Sequence, residues 1–261
     1  MFQFCSLYSG SSGNCSYVHT ESTKILIDAG QSSKKIEEAL KSISVDPFSI
    51  NAILITHEHS DHVKGAGLLS KKFNIPIYAN VETWNAMPEQ RDKVKEENIK
   101  TFSFEEFFIG DIKVRPFAIP HDAANPCGFN LYKDDKKMSI ATDIGHIDKG
   151  VMDKLINSSF LLLEANYEPE VLKCSRYPYL LKSRISGPNG HLSNSECGKA
   201  ISYLASNGLK VAMLGHLSEE NNFPELAYKT VVEEMMQNNG SNHINLSVAK
   251  RYEISPMIDI S

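Results

Sequence analysis

The chain has 261 residues, room for one large domain or two small ones around a buried core. With 41% hydrophobic and 23% charged residues it is an ordinary globular protein, and no apolar run reaches the roughly 18 residues of a membrane span. A formal net charge of −5 excludes a whole-surface nucleic-acid binder but leaves room for a local basic groove.

The first residues, MFQFCSLYSGSSGN, lack the basic and long apolar regions of a signal peptide. Cys5, Cys15, Cys127, Cys174 and Cys197 are odd in number and never spaced CxxC, so they read as reduced thiols and imply a cytoplasmic protein. In chain order, FQFCSLY, CSYVHT and KILIDAG read as strands, the first two joined by the turn SGSSGN. SSKKIEEALKSI has apolar residues at 36, 39, 40 and 43, a helical spacing. AILIT is a buried strand, VKGAGLLSKKF a helix and PIYAN a strand; VETWNAMPEQRDKVKEE is helical with a break near Pro88. EEFFIG, IKVRPFAIP, CGFNLYK and KMSIATD make a β-rich middle, with Lys133–Lys137 as a hairpin tip. A short helix near DKGVMDKLI precedes the buried strand FLLLEA. SNSECGKAISYLASNG begins with a Ser/Asn cap, and KVAMLGHL, FPELAYKTVVEEMMQNN and HINLSVAKRYEI read as strand, helix and last strand. No repeat or low-complexity linker divides the chain, so residues 1–261 read as one domain of sheets covered by helices.

The chemistry concentrates in NAILITHEHSDH. After a buried strand, His57, His59, Asp61 and His62 fall within six positions. Imidazole and carboxylate suit zinc, manganese or iron. Four ligands on one loop are too many for one tetrahedral ion, and fit two ions about 3.5–4 Å apart that share more distant ligands. A solvated polar turn is the bland alternative, but this spacing of scarce histidines is specific. Further candidates close other strands: Asp28 ends KILID, His121 follows VRPFAIP, Asp143 follows MSIAT and His216 follows VAMLG. Strand ends can converge on one site.

The order Asp28, HEHSDH, His121, Asp143, His216 resembles the metallo-β-lactamase superfamily over nearly the whole chain. SGSSGNC, RYP at 176–178 and GHLSN at 190–194 resemble its YycJ (WalJ)-like subgroup, related to tRNase Z and the β-CASP nucleases. The resemblance implies an α/β fold, a four-layer αββα sandwich with two mixed sheets flanked by helices. It implies two divalent ions per chain, zinc or manganese first and iron as a further option. His57, His59 and His121 would hold one ion, Asp61, His62 and His216 the other, with Asp143 between them and Asp28 behind the loop. It further implies a DNA exonuclease, DNA before RNA as substrate. Two features depart from the relatives: Asn166-Tyr167-Glu168 stands where a histidine is common, and the chain has no room for a β-CASP insertion.

Such ions lower the pKa of bound water toward ~7. Asp61 is placed to orient the nucleophile. His191 of GHLSN sits just before a helix start and, protonated, would contact the scissile phosphate or protonate the leaving oxygen. Lys173, Arg176, Lys182 and Arg184, interleaved with tyrosines, read either as a nucleic-acid track or as an ordinary amphipathic surface. Asn14, Arg176, Lys182, Arg184 and Asn194 are the candidate substrate contacts; SGSSGN serves equally as an anion nest or a tight turn, and Ser193 as a helix cap. Two other readings stay open: a hydrolase of the same fold for a thioester, lactone or cyclic phosphodiester, and a non-catalytic module.

Overall fold

The computed structural model describes residues 1–238 and 244–260; His243, at the head of the expected last strand, lies outside them. In chain order the strands are β1 (Phe2–Tyr8), β2 (Cys15–Thr20), β3 (Lys24–Ile27), β4 (Ala52–Leu54), β5 (Ile77–Ala79), β6 (Ile99–Thr101), β7 (Phe107–Ile109), β8 (Ile112–Ala118), β9 (Cys127–Lys133), β10 (Lys136–Ala141), β11 (Phe160–Glu164), β12 (Val211–Gly215), β13 (Asn245–Val248) and β14 (Ile258–Asp259). The helices are α1 (Ser33–Ser42), α2 (Ser60–Val63), α3 (Ala66–Phe73), α4 (Val81–Ala86), α5 (Pro88–Arg91), α6 (Lys149–Leu155), α7 (Pro169–Cys174), α8 (Tyr179–Ile185), α9 (Asn194–Ala205) and α10 (Pro224–Gln237). The strands build two mixed seven-stranded sheets, β14-β1-β2-β3-β4-β5-β6 and β13-β12-β11-β10-β9-β8-β7. Two mixed sheets flanked by helices are the make-up of the expected αββα sandwich. Among the described residues no helix is long and apolar enough to cross a membrane.

The chain divides into two compact units, residues 1–116, 123–127 and 250–261, and residues 117–122 and 128–249. In the first, β1, β2 and β3 are antiparallel neighbours, and β3 through β6 run parallel. β4 is apolar at every position because it is buried on both faces, as central parallel strands are. Ser32 caps α1 by accepting from the Lys35 amide, and Ile36, Ala39 and Leu40 turn inward one helical face apart. They join a core with Leu26, Ile53, Phe73 and Trp84, where each large side chain contributes roughly 1.5–3 kcal/mol of burial. The helix expected after PIYAN breaks at Met87. Pro88 has no amide hydrogen to continue α4 but suits the first turn of α5.

In the second unit β9 and β10 form a hairpin whose turn residue Asp134 has φ +53°, and β10 through β13 are parallel. Leu161, Leu163, Ala212 and Leu214 share a core with Ile201 and Leu204 of α9 and Ala227 and Val231 of α10. Three elements differ from expectation. The helix after HEHSDH starts early, at Ser60, and is interrupted near Gly65. The last strand stops at Val248, and β14 forms later, against β1. The segment 173–187, read as a nucleic-acid track or an amphipathic surface, holds the end of α7 and all of α8, whose short length and mixed pattern leave no helical period to read.

Candidate metal centre

The first unit carries the consecutive ligands. His59 is the residue before α2, and Asp61 and His62 lie in its single turn. The His57 ring packs 4.6 Å from His59 and 4.1 Å from His62, centroid to centroid. His62 Nε2 lies 3.6 Å from Asp61 Oδ2. Asp28 lies at the base of the loop. Its carboxylate accepts from the Thr56 amide and hydroxyl, both at 2.9 Å, and lies 2.7 Å from His62 Nδ1. Thr56 Oγ1 in turn lies 3.0 Å from His57 Nδ1. The α2 turn is clamped from outside: the Asn14 amide donates to Asp61 O at 2.7 Å and the Ala29 amide to His62 O at 2.7 Å. The approach is so close that a Cβ on Gly30 would stand 1.6 Å from Asp61 O, so only glycine fits there.

In the second unit the ligands come from separate strand ends. His121 follows β8, Asp143 follows β10 and His216 follows β12. All three are buried. Asp143 Oδ1 lies 3.8 Å from His121 Nε2 and 3.5 Å from His216 Nε2. Glu164, fully buried at the end of β11, organises this half. It accepts from the Ile144 amide at 2.8 Å and the Leu192 amide at 3.1 Å. His191 Nδ1 lies 2.8 Å and His216 Nδ1 2.7 Å from its Oε1. Asn166, just past the end of β11, donates to His216 O at 2.8 Å.

The electrostatics follow from those contacts. Burial opposes the Glu164 carboxylate, but the facing His191 and His216 win and hold its pKa well down. Burial also opposes the His191 imidazolium, yet the charge and hydrogen bond of Glu164, then Asp143, raise its pKa. His121 goes the other way, since burial outweighs the pull of Asp143 and lowers its pKa. A buried, neutral imidazole suits a metal ligand and a raised one suits a proton donor.

Sequence reading missed Glu164, although its signal was present: an acidic residue closes the apolar run FLLLE as Asp28 closes KILID. Among the candidate substrate contacts, Arg184 Nε meets Asp122 Oδ2 at 2.5 Å, beside His121. Arg176 and Lys182 lie outward on the α7–α8 segment, Lys182 donating to Lys173 O. Asn14 is buried, its oxygen accepting from the Gly10 amide and its nitrogen 3.1 Å from His62 Nε2. Asn194 is buried too, and its amide bonds Glu168 and Asn222. Ser193 caps α9 by accepting from the Glu196 amide at 3.3 Å.

The donor set fits divalent metal. Histidine and carboxylate groups gather in overlapping clusters, and within the second unit alone the ligand atoms of Asp143, Glu164, His191 and His216 lie within 4.8 Å of one another. The Nδ1 atoms of His57, His62, His121 and His216 each face an oxygen partner, which leaves Nε2 as the nitrogen that could take a metal. Fold and donors together define a metal-dependent hydrolase of the two-ion kind.

Residues 8–216 match the sequence model of the metallo-β-lactamase superfamily. The exodeoxyribonuclease WalJ of Streptococcus pneumoniae is 39% identical over 98% of this chain and 95% of its own length. The exodeoxyribonuclease YycJ of Bacillus anthracis is 36% identical over 87% of each. The crystal structure of Zn(2+)-bound PqqB from Methylobacterium extorquens superposes with a TM-score of 0.72 over 98% of this chain and 99% of that one, at 15% identity, a likeness of fold. The chain belongs to the metallo-β-lactamase superfamily, in its WalJ/YycJ-like group.

Proposed function

We propose that this protein is a two-metal phosphodiesterase that degrades DNA from an end, residues 1–261 working as one hydrolase domain. His57, His59 and His121 would hold one divalent ion and Asp61, His62 and His216 the other, with Asp143 as the ligand that would be shared. Zinc and manganese match the nitrogen and oxygen donors best, and iron is accepted by the same set. The observation that carries this reading is Asp143, whose Oδ1 lies within 4 Å of the Nε2 atoms of two histidines that follow different strands. A carboxylate within reach of histidines from separate strand ends supports a ligand shared by two neighbouring ions. The nuclease assignment is supported by the two relatives above, both named as exodeoxyribonucleases. The five free thiols support a cytoplasmic setting.

When bound, the ions lower the pKa of water to about 7 and polarise the phosphoryl group. The side chains do the rest. Asp61 accepts a hydrogen bond from the attacking water and turns it in line with the scissile bond. Glu164 holds His191 by Nδ1 and keeps it protonated, so that Nε2–H faces the leaving oxygen and donates the proton. Arg184, set beside His121 by Asp122, faces phosphates next to the cut.

The test is a digestion time course. End-labelled single- and double-stranded DNA are incubated with the protein and Mn²⁺ or Zn²⁺, with Asp61→Ala alongside. Release of mononucleotides or a ladder by the wild type, absent from the variant, is expected and gives the direction of digestion. No cleavage of any strand by protein shown to carry two ions would overturn the reading.

A further inference from the structure

The segment between β11 and β12 carries a feature that the metal chemistry does not use. Helices α7 and α8 enclose a hollow of about 550 Å³. Buried Tyr167 and Leu172 form its floor, Tyr177 and Tyr179 line it, and Lys173 and Lys182 stand at its rim. Tyr177 also lines a second hollow of about 570 Å³ that includes Arg176. α8 buries none of its own residues, and Tyr179 and Leu180 are each 81% exposed. A helix that contributes nothing to a core, yet displays aromatic and apolar side chains, is available to a ligand.

Charge narrows the choice of ligand. The hollow is lined by two cations, Lys173 and Lys182, and one carboxylate, Glu170; Arg176 lines the second hollow with Glu170 and Glu220, and Arg184 is paired with Asp122, in a chain of net charge −5. Glu170 pairs with Lys173 at 3.7 Å, but both groups are exposed and the pair is weak. Aromatic rings flanked by cations match a nucleobase with its phosphates, because every base offers a stacking face and every linkage a negative charge. The hollow has the volume of a small-ligand site.

The same segment is anchored to the chemistry. The His191 amide donates to Ile185 O at 2.8 Å, Arg184 meets Asp122, and His121 Nδ1 lies 3.0 Å from Gly190 O. From Tyr179 to Ile185 the helix advances about 9 Å, which separates the first residue of α8 from the residue that bonds His191.

We infer that the hollow between α7 and α8 is a base-stacking subsite, in which Tyr177 and Tyr179 grip an unpaired nucleotide of the DNA strand while Lys182 and Arg176 hold its phosphates. The inference rests on the nuclease reading and adds to it: the substrate is engaged as a single strand, away from the cut. It follows that long single strands bind through this subsite and small phosphodiesters do not.

The experiment compares the intact wild-type protein with Tyr177→Ala/Tyr179→Ala and Tyr177→Phe/Tyr179→Phe. Each is given a 20-nucleotide single strand and bis(p-nitrophenyl) phosphate with Mn²⁺, and binding of the fluorescent strand is followed by anisotropy in EDTA. The alanine variant should raise KM and Kd for the strand about tenfold to a hundredfold. Its loss on the long strand should exceed its loss on the small ester by at least tenfold, and the phenylalanine variant should retain affinity. Equal losses on both substrates, or unchanged strand affinity, would overturn the subsite. A wild type that cleaves neither substrate would instead count against the nuclease reading, and the anisotropy comparison would still decide the subsite.

Discussion

The two units carry comparable numbers of candidate ligands but arrange them differently. In the first, four ligands lie within six residues, and the strand AILIT with one turn of α2 suffices to aim them. In the second, His121, Asp143 and His216 are far apart in sequence, each at a separate strand end. The backbone shows the cost. Asp143 and His216 have φ of +57° and +53°, whereas no residue from His57 to His62 has positive φ. The left-handed turn swings each side chain sharply out of its strand. Asp and His tolerate it better than most residues, though it still costs on the order of 1 kcal/mol. Asp28, which supports the first half, shares the device at +61°. Each half then has its own buried carboxylate, but Asp28 faces one loop while Glu164 ties His216 to His191. A compact ligand loop is held as one piece by a few neighbours, Asp28, Asn14 and Ala29. A dispersed set needs a hub.

The largest effect should come from removing the shared ligand. Asp143→Ala is expected to lower kcat/KM on the order of 10³-fold, the scale of losing a main electrostatic stabiliser of the transition state. It should also reduce bound metal below two per chain, as read by elemental analysis. Retention of two ions with full activity would break the assignment of Asp143 as a bridge.

The two supporting carboxylates give the next test. Asp28→Asn and Glu164→Gln should each cost about 10- to 100-fold in metal affinity or activity, the usual effect of losing an outer hydrogen bond to a ligand. They should differ in pH dependence. Glu164 raises the His191 pKa, so its removal lets that pKa fall. A donor works only while protonated, so the alkaline limb of kcat in Glu164→Gln should move to lower pH. Asp28→Asn should leave that limb in place. Coincident limbs in the two variants would mean that His191 is not the donor.

The smallest effect belongs to the helix start beside the second half. Ser193→Ala removes the cap of α9 and should cost about 1 kcal/mol of stability by denaturant melt. Metal content should remain that of the wild type. Loss of metal would show that the α9 start is part of the site.

Much of this was legible in the chain. Strand FLLLE, helix α1 and the hairpin at Lys133–Lys137 follow from apolar runs, helical spacing and turn residues, which act over a few positions. The loop HEHSDH was legible for the same reason. The hub was not. The place of Glu164 at the end of FLLLE was readable, as that of Asp28 was, but nothing within a few residues names its partners. Its four contacts come from Ile144, His191, Leu192 and His216, the most distant 52 residues away. Helices α7 and α8 escaped because they are 6 and 7 residues long, too short for a periodicity to emerge.

The sequence by itself determined the family, the class of fold and the donor types, because residue chemistry and local spacing are properties of the chain alone. Tertiary structure decided which atoms meet. It set the choice of Nδ1 partner for each histidine, the left-handed turns at Asp143 and His216, and the opposite pKa directions of His121 and His191. Those depend on burial and on charges from distant strands, and such terms exist only once the backbone has brought the groups within a few ångströms.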